Sequence, residues 1–82
     1  MPNELTASQY VSQEIRAEMA RQSVSMSEMA RRIGMSVSSF RRAANGDRPL
    51  SVGELFQVGQ ALSVSPLSFL PNESGMQDSS AT

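Results

Sequence analysis

The 82-residue sequence contains no cysteine, no histidine and no tryptophan, and all seven of its basic residues are arginines. Without cysteine, a disulfide framework and a thiolate metal site are both excluded. The lack of histidine removes the commonest metal ligand and the commonest general base near neutral pH. No serine has a base partner recognisable from the sequence. We therefore expect no enzyme, no metal and no cofactor.

Long apolar runs are also missing. None approaches the roughly 20 residues that a membrane helix needs. The first ten residues lack the basic start and the apolar middle of a signal peptide. A chain of this length accommodates one small domain with a modest core. We therefore expect a cytoplasmic protein with no membrane partner.

The charges are unevenly distributed along the chain. The net charge is −1, yet all seven arginines lie between Arg16 and Arg48 with only three acidic residues among them, which gives this segment a net charge of +4. A locally basic surface is enough for contact with phosphates, because affinity depends on local charge neutralisation. The alternative interpretation is an ordinary solvated charged surface.

Capping signals divide the chain into five predicted helices and no strand. A serine or threonine followed three residues later by Glu or Gln is the capping-box pattern, and it marks three helix starts. The boxes are Thr6–Gln9, Ser25–Glu28 and Ser51–Glu54. The predicted helices cover about 7–22, 26–33, 37–45, 52–62 and 66–70. We expect a domain over residues 7–70, with flexible segments at 1–6 and 71–82, where no periodic pattern occurs.

Apolar residues at helical spacing predict the core. The predicted core residues are Val11, Ile15, Met19, Met29, Ala30, Ile33, Phe40, Ala43, Ala44, Leu55, Phe56, Val58, Leu62, Leu67, Phe69 and Leu70. Gly59 lies inside the fourth predicted helix, where glycine is unfavourable unless a neighbouring element packs close to it.

The third predicted helix has an apolar side and a polar side. With Phe40 facing the core, a rotation of about 100° per residue turns four residues outward. These are Ser38, Arg41, Arg42 and Asn45. A helix of roughly 13 Å, at ~1.5 Å per residue, suits a major groove about 12 Å wide, and arginine is well shaped to pair with guanine. The alternative is that both arginines only make the helix soluble, and that Val37 is an edge-of-core residue.

At this point the order of motifs resembles a known family. Residues 11–70 resemble the helix-turn-helix domain of the Cro/lambda-repressor-like (Xre) family of bacterial and phage regulators. The motifs that carry the resemblance are Glu28-Met29-Ala30, Gly34-Met35-Ser36, Phe40, Asn45-Gly46 and Ala61-Leu62-Ser63-Val64-Ser65. The resemblance implies an all-α, five-helix lambda-repressor-like fold whose third helix enters the major groove of double-stranded DNA.

The resemblance also assigns roles to individual residues. The implied contacts to base edges are Val37, Ser38 and Arg42. The implied phosphate or flanking contacts are Ser25, Met26, Ser39, Arg41, Asn45 and Arg48. Proteins of this family commonly bind palindromic operators as dimers, which implies a homodimer, at least on DNA. The contact surface is expected near Leu67 and Phe69, residues that are equally explained as core.

Three residues depart from the family pattern. Met26 stands where glutamine is frequent, so the phosphate contact falls to backbone N–H groups at the helix start or to Ser25. Phe40 and Ala43 exchange a large side chain for a small one, and cores tolerate such an exchange of volume. Ala44 replaces a frequent glutamate.

The leading hypothesis is a sequence-specific transcription regulator associated with the nucleoid, a repressor of phage or mobile-element type that blocks polymerase. The first alternative is an antitoxin or adaptor that uses the same fold to hold another protein. The second is a DNA-bending or recombination accessory factor, which would depend on indirect readout.

Overall fold

The computed structural model describes residues 6–71, which form four α-helices and one 3₁₀ turn and contain no strand. The helices are α1 (Ala7–Gln22), α2 (Met26–Ile33), α3 (Val37–Ala44) and α4 (Val52–Leu62), and the 3₁₀ turn is Pro66–Phe69. The all-α prediction is confirmed. Apart from Thr6 and Pro71, the segments predicted to be flexible lie outside the described residues. Within residues 6–71, no helix is long and apolar enough to cross a membrane.

The prediction of a fifth helix is wrong. The segment after Ser65 makes hydrogen bonds between residues three apart, from Ser68 N–H to the Ser65 carbonyl at 3.0 Å and from Leu70 N–H to the Leu67 carbonyl at 3.1 Å. Leu70 then returns to extended backbone. Four residues that begin at Pro66 complete one tight turn only, and a turn this short takes the 3₁₀ form.

The predicted helix starts are confirmed, with one difference. The side chains of Thr6, Ser25, Ser36 and Ser51 each accept the N–H of the residue three positions later. Two capping boxes are complete, at Thr6 and Ser51. The box predicted at Ser25 is only half formed: the Glu28 carboxylate accepts hydrogen bonds from two arginine side chains at 2.6–2.9 Å and none from the Ser25 N–H.

Each α-helix is followed by a residue with left-handed backbone, directly after α1, α2 and α4 and one residue past Asn45 after α3. Such helix ends satisfy the last free carbonyls. Glycine occupies this position after α2 and α3, at Gly34 (φ +73°) and Gly46 (φ +83°). Serine occupies it after α1 and α4, at Ser23 and Ser63, both with φ +59°. The left-handed backbone at Ser23 and Ser63 was not predicted, because serine is not a typical residue at this position.

The core lies where α2 packs against α3 and α4, and where α1 packs against α3, α4 and the 3₁₀ turn. Ile15, Met29, Phe40 and Val58 have no exposed surface. Val11 and Leu55, which were also predicted in the core, are half-buried at its edge. Most of the remaining predicted core residues are buried as well.

Three of the predicted core residues lie at the surface instead. Phe56 is 55% exposed, Leu67 is 67% exposed and Leu70 is 37% exposed. Phe56 follows the half-buried Leu55 by one residue, about 100° around the helix, and therefore leaves the inward side of α4. In a 3₁₀ turn, residues three apart share one side, so the buried Phe69 shares its side with Pro66 and not with Leu67.

Gly59 lies inside α4 and has a close neighbour, the chain that follows the helix. A β-carbon at this position would lie 2.9 Å from the Val64 carbonyl oxygen and 3.1 Å from the Pro66 nitrogen. Contacts under 3.0 Å do not occur for real β-carbons, so only glycine lets the chain after α4 fold back this closely.

Candidate nucleic-acid interface

Helices α2 and α3 form a helix-turn-helix with a three-residue turn, Gly34-Met35-Ser36. Gly34 supplies the left-handed backbone that ends α2, and the Ser36 hydroxyl accepts the N–H of Ser39 at 3.1 Å to start α3. Met35 packs partly against the core between them. A turn of three to four residues that contains glycine is characteristic of this motif.

One side of α3 is buried and the other is open to solvent. Phe40, Ala43 and Ala44 are buried. The exposed side consists of Ser38, Arg41, Arg42 and Asn45, as the helical spacing predicts. The backbone of α3 packs against α1 and α2 but not against α4 or the 3₁₀ turn. The exposed side of α3 is therefore uncovered within the described part of the chain.

The end of α3 is fixed by its backbone. Gly46 N–H donates to the Ala43 carbonyl at 3.1 Å, and Asp47 N–H donates to the Arg42 carbonyl at 2.9 Å. With the left-handed glycine between them, these two bonds form a Schellman motif. The carbonyls of Arg42 and Ala43 are therefore both held by N–H groups of the chain that leaves α3.

Four of the seven arginines have carboxylate partners. The pairs are Arg21–Glu18, Arg31–Glu28, Arg32–Glu28 and Arg48–Glu54. Hydrogen bonds from Arg31, and then from Arg32, lower the pKa of the Glu28 carboxyl below its ordinary value. Glu28 therefore balances one of the two positive charges of α2, which keeps a net charge of +1.

The other three arginines have no carboxylate partner within residues 6–71, and two of these, Arg41 and Arg42, lie on the exposed side of α3. The third, Arg16 on α1, donates from Nε to the Ser12 carbonyl at 3.4 Å. Positive charge that is not balanced by a neighbouring carboxylate is therefore concentrated on α3. Such a surface suits a polyanion.

Arg48, predicted to contact phosphate, is bound to Glu54 by two hydrogen bonds of 3.2 Å and 3.0 Å. Both side chains are only about a quarter exposed, at 28% and 24%. The hydrogen bonds from Arg48 lower the pKa of the Glu54 carboxyl and raise the pKa of the Arg48 guanidinium. This ion pair was not predicted from the sequence. The predicted capping box Ser51–Glu54 had nevertheless placed Glu54 next to the loop that carries Arg48.

The remaining predicted contact residues are distributed over α2 and the first turn of α3. Met26 and Val37 are partly buried and pack against the core. Ser39 is half-buried. The Ser25 hydroxyl accepts the Glu28 N–H at 3.0 Å, and its hydrogen stays available to donate. The exposed side of α3 thus brings together four of the nine predicted contact residues, and Ser25 and Met26 lie apart from it at the start of α2.

No family model matches this chain, and no curated protein sequence matches it. Solved structures do. A structure of the clp gene regulator ClgR from Corynebacterium glutamicum has a TM-score of 0.80 at 22% identity, covering 95% of this chain and 83% of that chain. A hypothetical transcription factor, NHTF from Neisseria, has a TM-score of 0.77 at 16% identity, covering 95% and 94%. The chain has the fold of these two regulators.

The same fold also occurs within a longer protein. Apo-HppE has a TM-score of 0.73 at 18% identity, with 80% of this chain covering 37% of that chain. Because one fold supports several functions, the function has to be argued from the site residues themselves. Among residues 6–71, no group of three acidic side chains is placed to hold a metal ion.

Proposed function

We propose that the protein is a sequence-specific, double-stranded DNA-binding transcription regulator whose α3 lies in the major groove. One observation carries the proposal: Arg41 and Arg42 stand on the exposed side of the second helix of a helix-turn-helix, without a carboxylate partner among the described residues. Four other arginines of the chain are paired with three neighbouring carboxylates. An α3 of eight residues is roughly 12 Å long at ~1.5 Å per residue, which suits the groove.

In this proposal, Arg42, Ser38 and the exposed part of Val37 read base edges. Arginine pairs with guanine O6 and N7, serine pairs with several base edges, and an apolar side chain contacts a thymine methyl. The flanking contacts to phosphates come from Ser39, Arg41 and Asn45, from the N–H groups at the start of α2 beside Ser25 and Met26, and from Arg48 once a phosphate replaces Glu54.

We further propose that the protein belongs to the Cro/lambda-repressor-like (Xre) family and binds a palindromic operator as a homodimer. The chain has no charged residue from Leu55 to Pro71, and this neutral stretch carries the exposed side chains of Phe56 and Leu67. A neutral apolar surface meets its own copy without like-charge repulsion. Since the exposed side of α3 faces away from the core and its backbone does not pack against α4 or the 3₁₀ turn, pairing there leaves both α3 helices free to reach DNA. Phe69, in contrast, is buried and belongs to the core.

The biological role that fits is a cytoplasmic, nucleoid-associated repressor of phage or mobile-element type. It occupies an operator and blocks polymerase, with no catalytic step and no cofactor.

The test is a selection from a random duplex DNA library at two salt concentrations, with an Arg41→Gln/Arg42→Gln double variant as the control. We expect an enriched palindrome with half-sites about one helical turn apart, and no enrichment by the double variant. Weak binding with a steep salt dependence and no enriched sequence would contradict the proposal.

A second candidate is an antitoxin or adaptor that binds another protein. The observation that favours it is an apolar pocket of about 230 Å³, lined mainly by Val11, Leu50, Val52, Leu55 and Leu70. The exposed Phe56 lies one helical turn after Val52 on α4. Apolar concavities of this kind are typical of protein contacts. If cellular function survives the double arginine variant but is lost on Phe56→Ser, this candidate is favoured over the regulator.

A further inference from the structure

Ser12 is the only buried polar side chain within residues 6–71, at 3% exposed. Its hydroxyl oxygen lies 2.7 Å from the carbonyl oxygen of Ala43, in the last turn of α3, and 2.9 Å from the carbonyl oxygen of Ser8, in its own helix. A serine hydroxyl has one hydrogen, and the contact across the helices is the shorter of the two. The Ala43 carbonyl, one of the last four of α3, also accepts the N–H of Gly46 at 3.1 Å, so it has two donors, one from the chain after α3 and one from α1.

Around this bond, α1 and α3 meet through small side chains and a glycine. Ala43 and Ala44 are buried. A β-carbon on Gly46 would lie 3.4 Å from Gln9 Cγ and 3.8 Å from Ser12 Oγ. Apolar contacts between such groups have no preferred direction, whereas a hydrogen bond weakens steeply away from linearity. Within residues 6–71, the bond from Ser12 to Ala43 is the only hydrogen bond between α1 and α3.

We infer that Ser12 is a positioning residue for DNA readout: its hydroxyl fixes the rotation of α3 about its axis and so aims Arg42. This inference rests on the proposed function. Arg42 directly precedes Ala43, so a displacement of the Ala43 backbone carries Arg42 with it. A rotation of about 10° moves a side chain at the helix surface, ~5–6 Å from the axis, by roughly 1 Å. Paired hydrogen bonds to a base do not tolerate that displacement, whereas attraction to phosphates does.

The test compares three variants. Ser12→Ala removes the bond and keeps the side chain small. Ser8→Ala removes a hydroxyl from the same helix that makes no hydrogen bond within residues 6–71. Val58→Ala weakens the core in α4, whose backbone does not pack against that of α3. Two readouts apply to the folded proteins: the orientation of α3 relative to α1 from residual dipolar couplings in the free protein, and affinity for the selected operator and for random duplex DNA.

For Ser12→Ala we expect a changed α3 orientation and a roughly three- to tenfold loss of operator affinity. This loss corresponds to one hydrogen bond between Arg42 and a base. Affinity for random DNA should stay within about twofold, since phosphate contacts depend mainly on charge. Ser8→Ala should match the wild type, and Val58→Ala should lower stability without changing the ratio of the two affinities.

An unchanged α3 orientation in Ser12→Ala would overturn the inference. Equal losses of affinity for operator and random DNA would also overturn it, as would the same change in the ratio of these two affinities in Val58→Ala. If the wild type selects no operator, the proposed function fails, and the orientation measured without DNA still decides the role of Ser12.

Discussion

The guanidinium of Arg48 and the carboxylate of Glu54 are joined by two hydrogen bonds, from Nη1 to Oε1 at 3.2 Å and from Nη2 to Oε2 at 3.0 Å. Oε1 also accepts the N–H of Ser51 at 3.0 Å, the bond that completes the cap of α4. One carboxylate therefore holds both the start of α4 and the loop that leaves α3. A phosphate that binds Arg48 has to displace a bidentate partner.

The first prediction concerns this competition. Arg48→Ala should weaken binding to all DNA sequences alike and reduce the slope of log K against log salt by about one unit, as expected for one lost phosphate contact. Glu54→Gln should strengthen binding to all sequences, because it removes the competing carboxylate. The measurement is a salt titration with operator and random duplexes. Arg21→Ala on α1 is the control, because it removes the same charge from an arginine that also has a carboxylate partner. An unchanged slope of log K against log salt in Arg48→Ala would show that Arg48 stabilises the fold and does not contact phosphate.

The same pair gives the stability a pH dependence. The hydrogen bonds from Arg48 lower the pKa of the Glu54 carboxyl below its ordinary 4.5. A carboxyl with a lowered pKa in the folded state contributes stability that is complete above its unfolded pKa and is lost as the pH falls through its folded pKa. The pKa values of Glu18 and Glu28 are lowered in the same direction.

We therefore expect urea unfolding of the wild type to need progressively less urea as the pH falls below about 4.5, from a plateau near neutral pH. Glu54→Gln should be less stable than the wild type on that plateau, and the two should converge in acid. Identical pH profiles for the two proteins would contradict the prediction.

A third prediction separates base readout from phosphate contact. Arg42→Ala should cost about 1–3 kcal/mol on the operator and relax specificity at one base position, if its guanidinium pairs with guanine. Arg31→Ala is the control, because Arg31 is exposed and paired with Glu28. The measurement is a repeated library selection with each variant. A loss for Arg42→Ala that is equal on operator and random DNA would contradict a base-reading role.

Much of the fold was predictable because its local signals agree with its packing. The serine and threonine caps, the glycines at Gly34 and Gly46 and the apolar spacing of α2 and α3 all specify the same helix boundaries. The exposed side of α3 followed from the buried position of Phe40 through helical geometry alone.

What was not predictable depends on contacts between distant residues. Apolar type suggested that Phe56 and Leu67 are buried, but burial depends on which side of an element faces the core. The pairing of Arg48 with Glu54 depends on the path of the loop between them. The bond from Ser12 to Ala43 joins residues 31 positions apart, and a serine in a helix pattern carries no signal for such a contact.

A fourth prediction concerns the left-handed residues at the helix ends. A left-handed backbone costs an L-residue about 1–2 kcal/mol, and glycine largely avoids this cost. Ser63→Gly, at φ +59°, should therefore raise the melting temperature. Gly34→Ala is the reverse change at φ +73°, and the added β-carbon would have no atom within 4 Å. A lower melting temperature of this variant therefore measures the cost of the left-handed backbone and not a steric clash. Thermal unfolding followed by circular dichroism measures both, and a lower melting temperature for Ser63→Gly would contradict the argument.

The last prediction compares two glycines of α4 that experience opposite surroundings. A β-carbon on Gly59 would approach the Val64 carbonyl to 2.9 Å, whereas one on Gly53 would meet only Ser51 Oγ at 3.9 Å. Gly59→Ala should destabilise the protein by about 1–3 kcal/mol through overpacking against backbone. Gly53→Ala should stabilise it by about 0.4–1 kcal/mol by restricting the unfolded chain. Urea unfolding of the two variants gives both values, and a stability gain for Gly59→Ala would mean that the chain after α4 moves away at little cost.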